Sequence, residues 1–290
     1  CHVVPRSDWA IGPMTTTPWM PREGSAEELV TQFDSQPLMA LASGEIPALI
    51  LRQAFAPAHC EALLSRFRAR RLLYDPHSVG DGTPHRVDIG TSFGKHRGDR
   101  AGFFQHARAT HKLFETLFDG YDNPVETIYQ ALSVLAPDKE VKTAREPDGE
   151  LYGPAIFRIY HAELGHGPHF DSVAKRSKAF DYAISRFQYQ FAGVLCLQNS
   201  ASAGESGEAF INNCPWTPQL QPVLASRTFP QYAAEHQIER IQVQLEPGDL
   251  YFFFSENIHE VPNIVGDTAR AVLAVFFAMS PEDDEIFVWA

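Results

Sequence analysis

Gly-Pro-His-Phe-Asp-Ser, residues 167–172, places a histidine and a carboxylate, His169 and Asp171, two positions apart in the chain. Side chains alternate between the two faces of an extended strand, so residues spaced by two point to the same side. His169 and Asp171 then present a nitrogen ligand and an oxygen ligand together. The stretch therefore predicts two corners of a metal site on an extended segment.

A third ligand is predicted nearer the C-terminal end. His259 follows the apolar, strand-like run at residues 250–254, and Arg270 comes eleven residues after His259, on the next predicted strand. Two histidines and one carboxylate on one face of a metal leave three adjacent positions open, which is the ligand set of non-haem Fe(II) oxygenases. We expect neutral imidazoles from the histidines and an anionic oxygen from the carboxylate.

The hydrophobic period changes from helical to strand-like at about residue 150. Apolar residues at helical spacing predict helices at 57–73, 101–118 and 124–136. Runs rich in Val, Ile, Phe and Tyr predict strands at 155–161, 191–198, 208–212, 238–245, 250–254 and 269–279. Helices followed by strands, without regular alternation, favour an antiparallel double-sheet barrel behind a helical cover.

With these motifs the chain resembles the 2-oxoglutarate- and Fe(II)-dependent oxygenase superfamily, and most of all its prolyl-hydroxylase-like branch. The resemblance covers about residues 155–279. It rests on the metal motif and on the strand and turn segments 193–198, 204–210 and 247–249, with Gly266 before Arg270. It implies a mainly β fold with an α cover, in which a double-stranded β-helix (jelly-roll) core is preceded by N-terminal helices.

The resemblance also implies a metal and two co-substrates. Fe(II) would be held by His169, Asp171 and His259, and the reaction would consume 2-oxoglutarate and O2. Arg270 would pair with the distal carboxylate of 2-oxoglutarate, because a guanidinium grips a carboxylate through two parallel hydrogen bonds. The alternative for this single cation on an apolar strand is a salt bridge to an Asp or Glu such as Asp267.

Three further residues are candidates for co-substrate binding. Tyr160 and Arg158 lie on one face of the strand before the metal motif. The resemblance gives Tyr160 a co-substrate contact, with a tyrosine at the barrel mouth as the alternative. Arg158 would meet the other carboxylate of 2-oxoglutarate or a carboxylate of the substrate. Thr268 would add a hydroxyl, or serve only as a turn residue.

His166 competes with His169 for the ligand role. It lies three residues before His169, whereas the spacing of two between His169 and Asp171 favours His169. His166 then belongs to a loop over the site. Phe170 points to the opposite face and is predicted to join the core.

We predict a single oxygenase domain over residues 1–290. Its parts are an irregular arm and helical cover at 1–145, the jelly-roll core at 146–280 and an acidic tail at 281–290. Residues 1–145 and the polar, aromatic segments 175–189 and 214–237 are expected around the substrate.

Composition limits the partners. The net charge of −12 argues against nucleic acid, and no run approaches the roughly 20 apolar residues of a membrane span. Four scattered cysteines without a framework spacing favour a reducing, cytoplasmic environment. The expected partner is a small molecule, and the sequence does not predict an oligomeric state.

The predicted reaction is oxidation of an unactivated C–H bond in a small polar, amino-acid-like metabolite. Hydroxylation is the main expectation, and desaturation, oxidative cyclisation and epimerisation use the same ligands. Related halogenases have a small residue in place of the carboxylate, so Asp171 argues against halogen transfer. The alternatives are a protein-residue (prolyl-type) hydroxylase and a non-enzymatic jelly-roll protein that binds a metal or ligand.

Overall fold

The computed structural model describes residues 18–34, 36–73, 86–96, 98–176, 181–200 and 208–290. The first part of the predicted arm, residues 1–17, lies outside this range. So does the part of the predicted 204–210 turn that contains Gly204 and Gly207.

Short and medium helices precede and interrupt the strands. In the described residues they are α1 (Ala26–Gln32), α2 (Pro37–Ala42), α3 (Pro57–Ala69), α4 (Arg100–Leu117), α5 (Pro124–Leu135), α6 (Val173–Arg176), α7 (Gln221–Ala225) and α8 (Phe229–Glu235). The three predicted helices correspond to α3, α4 and α5. Asn123 caps α5 by accepting a hydrogen bond from the backbone N–H of Val125 at 3.0 Å, and Pro124 occupies the first helical position.

The strands of the described residues are β1 (Arg22–Glu23), β2 (Leu49–Leu51), β3 (Val87–Gly90), β4 (Glu140–Thr143), β5 (Ile156–Tyr160), β6 (His166–His169), β7 (Tyr189–Gln198), β8 (Phe210–Pro215), β9 (Arg240–Gln242), β10 (Leu250–Phe254), β11 (Asn257–Val261), β12 (Arg270–Met279) and β13 (Glu285–Trp289). Four predicted strands agree with β5, β7, β10 and β12 within two residues. The two others are shifted to β8 and shortened to β9.

These strands form two sheets. The major sheet has nine strands among the described residues, in the order β1-β2-β10-β7-β12-β13-β4, with β5 on β12 and β3 on β5. The minor sheet has the order β6-β11-β8-β9. Every pair is antiparallel except β1 with β2 and β13 with β4. The predicted jelly-roll core with an α cover is confirmed.

Strand β7 shows how the core divides between the two faces of the major sheet. Phe191 and Leu195 join the cluster that includes helices α1 to α5. Val194 and Cys196 join the cluster between the two sheets, together with Ile211 of β8. One face of the strand is therefore covered by helices, while the other faces the interior of the barrel, as the period of two requires.

The turn before β10 fixes the edge of the barrel. Gly248 has φ +97°, and a Cβ atom there would lie 2.2 Å from the carbonyl oxygen of Phe55. The buried carboxylate of Asp249 accepts hydrogen bonds from the backbone N–H of Gln53 at 2.8 Å and from Arg52 at 2.6 Å. A glycine and a buried acceptor are both needed for this close approach.

Residues 281–290 do not form the predicted acidic tail. The acidic residues at 282–284 occupy the turn after β12, and residues 285–289 form β13, which pairs with β12 and β4. Ile286 and Val288 are fully buried. The prediction was wrong because it weighed the acidic turn above the apolar strand that follows.

The predicted boundary near residue 145, between a helical cover and the jelly-roll core, was also wrong. Strands β1 to β4 all precede that boundary and belong to the major sheet. They have two to four residues each, too few to show a clear period of two. The interpretation as a single domain stays a prediction. No helix within the described residues is long and apolar enough to span a membrane.

Gly248→Ala should destabilise the protein by about 1–3 kcal/mol, because the new methyl group meets a backbone carbonyl oxygen and the residue keeps a positive φ. Urea unfolding monitored by circular dichroism measures the loss. Gly120→Ala is the matched control, since Gly120 has φ +82° and nothing within 4 Å of its added Cβ. Equal losses in the two variants would show that the contact with Phe55 does not matter.

Candidate metal centre

The minor sheet brings the two predicted histidine ligands side by side. His169 ends β6 and His259 lies within β11, and the two residues are direct partners in the antiparallel ladder. Their ring centroids are 4.2 Å apart. Asp171 lies two residues after the end of β6, and its backbone N–H donates to the carbonyl of Ser255 at 2.8 Å. His259 was expected after a strand and instead lies inside a short one.

The three ligand atoms form a compact triangle. Oδ2 of Asp171 lies 3.5 Å from Nε2 of His169 and 3.5 Å from Nε2 of His259. All three atoms lie within 4.8 Å of one another. Ligands bound at about 2.1 Å on adjacent octahedral corners lie about 3 Å apart. The donor set and its spacing therefore fit a divalent metal such as Fe(II).

Backbone carbonyls orient both imidazole rings. Nδ1 of His169 donates to the carbonyl of Gly167 at 2.8 Å, and Nδ1 of His259 donates to the carbonyl of Asn257 at 2.8 Å. A ring that donates from Nδ1 in its neutral form keeps the lone pair on Nε2. Both rings therefore turn a metal-binding nitrogen toward Asp171.

The protonation states also suit a metal. Burial raises the pKa of Asp171, but contacts with His169 and His259 outweigh burial and hold that pKa well below its usual value. Burial, followed by the neighbouring His259, lowers the pKa of His169. Near neutral pH the carboxylate is ionised and the His169 imidazole is neutral, which are the forms that bind a metal.

Arg176 restricts how Asp171 presents its carboxylate. Nη1 of Arg176 donates to Oδ1 of Asp171 at 3.2 Å and to the carbonyl of Phe170 at 2.9 Å. Oδ1 is thus held by the guanidinium, while Oδ2 faces the two histidines. The sequence placed Arg176 in a substrate-facing segment but gave no sign of this pairing, since it depends on the turn into α6.

His166 lies against the ligand histidine and outside the triangle. Its Nδ1 is 2.8 Å from Nε2 of His169, and the one group of metal-ligating atoms found among the described residues leaves it out. Burial lowers the pKa of His166 to about 3, and His169 contributes to the same effect. The sequence had predicted a loop here, but His166 begins strand β6; its place beside the site stays a prediction.

Arg270 and Tyr160 are paired across the major sheet. Arg270 in β12 lies directly opposite Tyr160 in β5. The guanidinium carbon of Arg270 is 5.6 Å from the centre of the Tyr160 ring. Arg270 is buried, and among the described residues no ion pair links it to Asp267. Burial raises the pKa of Tyr160, but the charges of Arg158, Arg86 and Arg270 lower it below its usual value.

Of the remaining predicted residues, Arg158 reaches the cavity and Thr268 does not. Arg158 lies two residues before Tyr160 in β5, so both side chains are on the inner face of that strand, and Arg158 lines the cavity. Thr268 lies in the bend before β12 and is not part of the cavity wall. Arg86, just before β3, also lines the cavity. The sequence did not suggest it, because β3 was not predicted.

One cavity of about 350 Å³ connects the metal triangle with the arginines. This volume is at the small end of the usual range for ligand pockets. Within segment 175–189 the described wall residue is Arg176. Residues 214–237 contribute none, because they pack on the outer face of the minor sheet, where Trp216 stacks on Phe170 at 4.5 Å. The expected substrate role of segment 214–237 was wrong, whereas the core position of Phe170 is confirmed.

A family model described as "Carrier-protein-independent halogenase WelO5" matches residues 27–290 of the chain. No curated protein shows a sequence match to the chain.

Solved structures with the same fold include two from Burkholderia ambifaria AMMD. An N-substituted L-amino acid dioxygenase has 16% sequence identity and a TM-score of 0.59, with 89% of this chain and 91% of that chain covered. Its complex with alpha-KG has 15% identity and a TM-score of 0.55, with coverages of 87% and 90%. At these identities the likeness is one of fold.

Asp171→Ala should remove most of the bound iron, because two neutral imidazoles bind Fe(II) far more weakly than the same pair with a carboxylate. Iron content after anaerobic loading and desalting measures the loss, and we expect at least a tenfold fall. Asp267→Ala is a matched control on an exposed bend. Retention of iron by the Asp171 variant would rule out this carboxylate as a ligand.

The metal-free protein should lose stability as the pH falls from about 7 to 5. The pKa of His169 is lowered in the folded chain, so protons bind the unfolded chain first as the pH falls through about 6.5. One such histidine contributes at most about 1.4 kcal/mol per pH unit. Urea unfolding of the metal-free protein at several pH values should give a shallower slope for His169→Gln than for wild type.

The exposed His236, which follows helix α8, supplies the control for this slope. We expect His236→Gln to retain the pH dependence of wild type. The window from pH 7 to 5 lies above the range in which Asp171 titrates. Identical slopes for wild type and His169→Gln would show that burial of the neutral imidazole is not coupled to folding.

Proposed function

The chain belongs to the family of carrier-protein-independent halogenase WelO5, and from this premise we propose that it hydroxylates an unactivated C–H bond of a small, amino-acid-like metabolite. The predicted 2-oxoglutarate- and Fe(II)-dependent oxygenase is confirmed at the level of the family, with Fe(II) as cofactor and 2-oxoglutarate and O2 as co-substrates. The non-enzymatic alternative is therefore wrong.

Asp171 is the observation that carries the proposal of oxygen rather than halogen transfer. Halogenases of this iron class need a free coordination position for the halide, which a small residue provides. In this chain the carboxylate of Asp171 lies 3.5 Å from each histidine nitrogen and occupies the third corner. The name of the family and the ligand set of this member thus point to different outcomes, and we follow the ligand set.

The proposed roles divide between the two sheets. The metal is held on one face by two histidines of the minor sheet, His169 and His259, and by Asp171, which follows β6. Arg270 on the major sheet binds the distal carboxylate of 2-oxoglutarate with two parallel hydrogen bonds, and Tyr160 supports that contact. Bound Fe(II), with 2-oxoglutarate and O2, supplies an oxidant strong enough to break an unactivated C–H bond.

We expect the wall between these two groups to limit the access of water. It includes apolar side chains from the inner face of the major sheet: Ala192, Val194, Phe253 and Val272. Water kept away from the reacting centre strengthens the contacts of the charged groups and limits side reactions. The small volume of the cavity favours a free metabolite over a residue of a folded protein.

Incubation of the Fe(II)-loaded protein with 2-oxoglutarate, O2, chloride and a metabolite panel tests the proposal. We expect succinate formation coupled to a product heavier by one oxygen, and no chlorinated product, as measured by mass spectrometry. Arg270→Gln should raise the concentration of 2-oxoglutarate for half-maximal turnover by about tenfold or more, because the charge-assisted pair is lost.

Arg108→Gln provides the matched control, since Arg108 is an exposed arginine paired with Glu150 on the surface. It should behave as wild type. A chlorinated product in place of the oxygenated one would overturn the proposed reaction. An unchanged 2-oxoglutarate requirement in Arg270→Gln would overturn the proposed role of Arg270.

A further inference from the structure

Residues that lie directly opposite one another on neighbouring strands form a row across the major sheet. Arg158 lies one row away from Arg270, the arginine that is proposed to hold the co-substrate. Across the major sheet Tyr160 is the partner of Arg270, whereas Arg158 lies between Asp88 and Val272. Two residues of strand separate these rows by about 7 Å. The row of Arg158 therefore offers a second position for a ligand, distinct from that of Arg270.

This second row carries a surplus of positive charge. The buried carboxylate of Asp88 pairs with Arg86 at 2.8 Å and with Lys95 at 2.7 Å. Arg158 is the third cation, close enough for its charge to lower the pKa of Asp88, and it has no ion pair among the described residues. Three cations thus face one carboxylate inside a protein whose net charge is −12.

The guanidinium of Arg158 has an unused donor. Its Nε atom is buried and has no hydrogen-bond partner, while the guanidinium contacts the phenol of Tyr160. A buried N–H group without a partner is rare in native proteins and calls for a reason. Together with the surplus charge, it indicates an anion as the ligand.

Beyond Val272 the cavity becomes apolar. Its wall there includes the apolar residues Phe93, Ile156, Ala274, Phe276 and Trp289, with Ser92 as a polar neighbour. Phe276 in β12 lies directly opposite Trp289 in β13. Four residues of strand separate Val272 from Phe276, which is a distance of about 13 Å. The cavity thus has a cationic end at Arg158 and an apolar end at Phe276.

We infer that the substrate is an amphipathic carboxylate, with its anionic group on Arg158 and its apolar body along the wall toward Phe276. Arg86 and Lys95 stand beside the anion and add to the attraction. This assignment rests on the proposed function, in which Arg270 already holds 2-oxoglutarate. It narrows the amino-acid-like metabolite to an acid with an apolar chain or ring.

A series of phenylalkanoates with three to six chain carbons, each paired with its primary amide, tests this inference. Isothermal titration into the anaerobic Fe(II)–2-oxoglutarate protein gives the dissociation constants. Wild type should bind at least one carboxylate about tenfold or more tightly than the amide of the same shape. Arg158→Gln should reduce that ratio below about threefold, because a neutral amide makes no charge-assisted pair.

The co-substrate supplies the second readout. Titration of the visible charge-transfer band gives the 2-oxoglutarate concentration for half-saturation, which Arg158→Gln should change by less than about threefold. Arg158→Met serves in the same role if the glutamine variant does not fold, since it keeps an apolar stem of similar length. The exposed Arg108 again provides the matched control as Arg108→Gln, which should retain the preference of wild type for the acid.

Two results would overturn the inference. One is equal binding, or no binding, of carboxylate and amide by wild type. The other is a large rise in the 2-oxoglutarate requirement of Arg158→Gln with an unchanged preference for the acid, which would assign Arg158 to the co-substrate. Failure of the proposed function looks different, because the iron-loaded wild type would then show no 2-oxoglutarate-dependent band.

Discussion

The pairing of β6 with β11 is the interaction on which the candidate site depends. It places His169 beside His259, although ninety residues separate them in sequence. Ser255 secures the end of β6, because its carbonyl accepts from the N–H of Asp171 and its hydroxyl donates to the carbonyl of Asp171 at 2.8 Å. Strand β6 consists of His, Gly and Pro residues, which do not favour a strand by themselves. Its extended conformation therefore depends on the pairing with β11.

The two sheets have different chemical tasks. The minor sheet provides the proposed metal ligands, and the backbone contacts of the two histidines fix which ring nitrogen faces the candidate centre. The major sheet provides the arginines, each of which alternates with a side chain that packs under the helices, as Arg158 does with Phe157. Cations are tolerated on an inner face because the helix-covered face contributes most of the apolar burial.

The sequence predicted the site better than the edges of the fold. The spacing of His169 and Asp171 and the position of Arg270 on an apolar strand gave signals that do not depend on distant partners. Segments whose structure depends on neighbours were missed or misread: Arg86 precedes a four-residue strand, and β13 follows an acidic turn. Thr268 was a candidate for co-substrate binding but lies in a bend outside the cavity wall, because a residue in a bend has no fixed side-chain direction that a period of two could predict.

The contact between Arg176 and Asp171 joins a proposed metal ligand to a charge that would lie outside the coordination sphere. Replacement of the carboxylate by a small side chain would therefore do more than vacate a coordination position. It would leave a guanidinium next to that position without its anion, so the local charge would become more positive by one unit. In a family named for halogen transfer, the exchange of one ligand would change the electrostatic preference of the centre, toward anions, as well as its geometry.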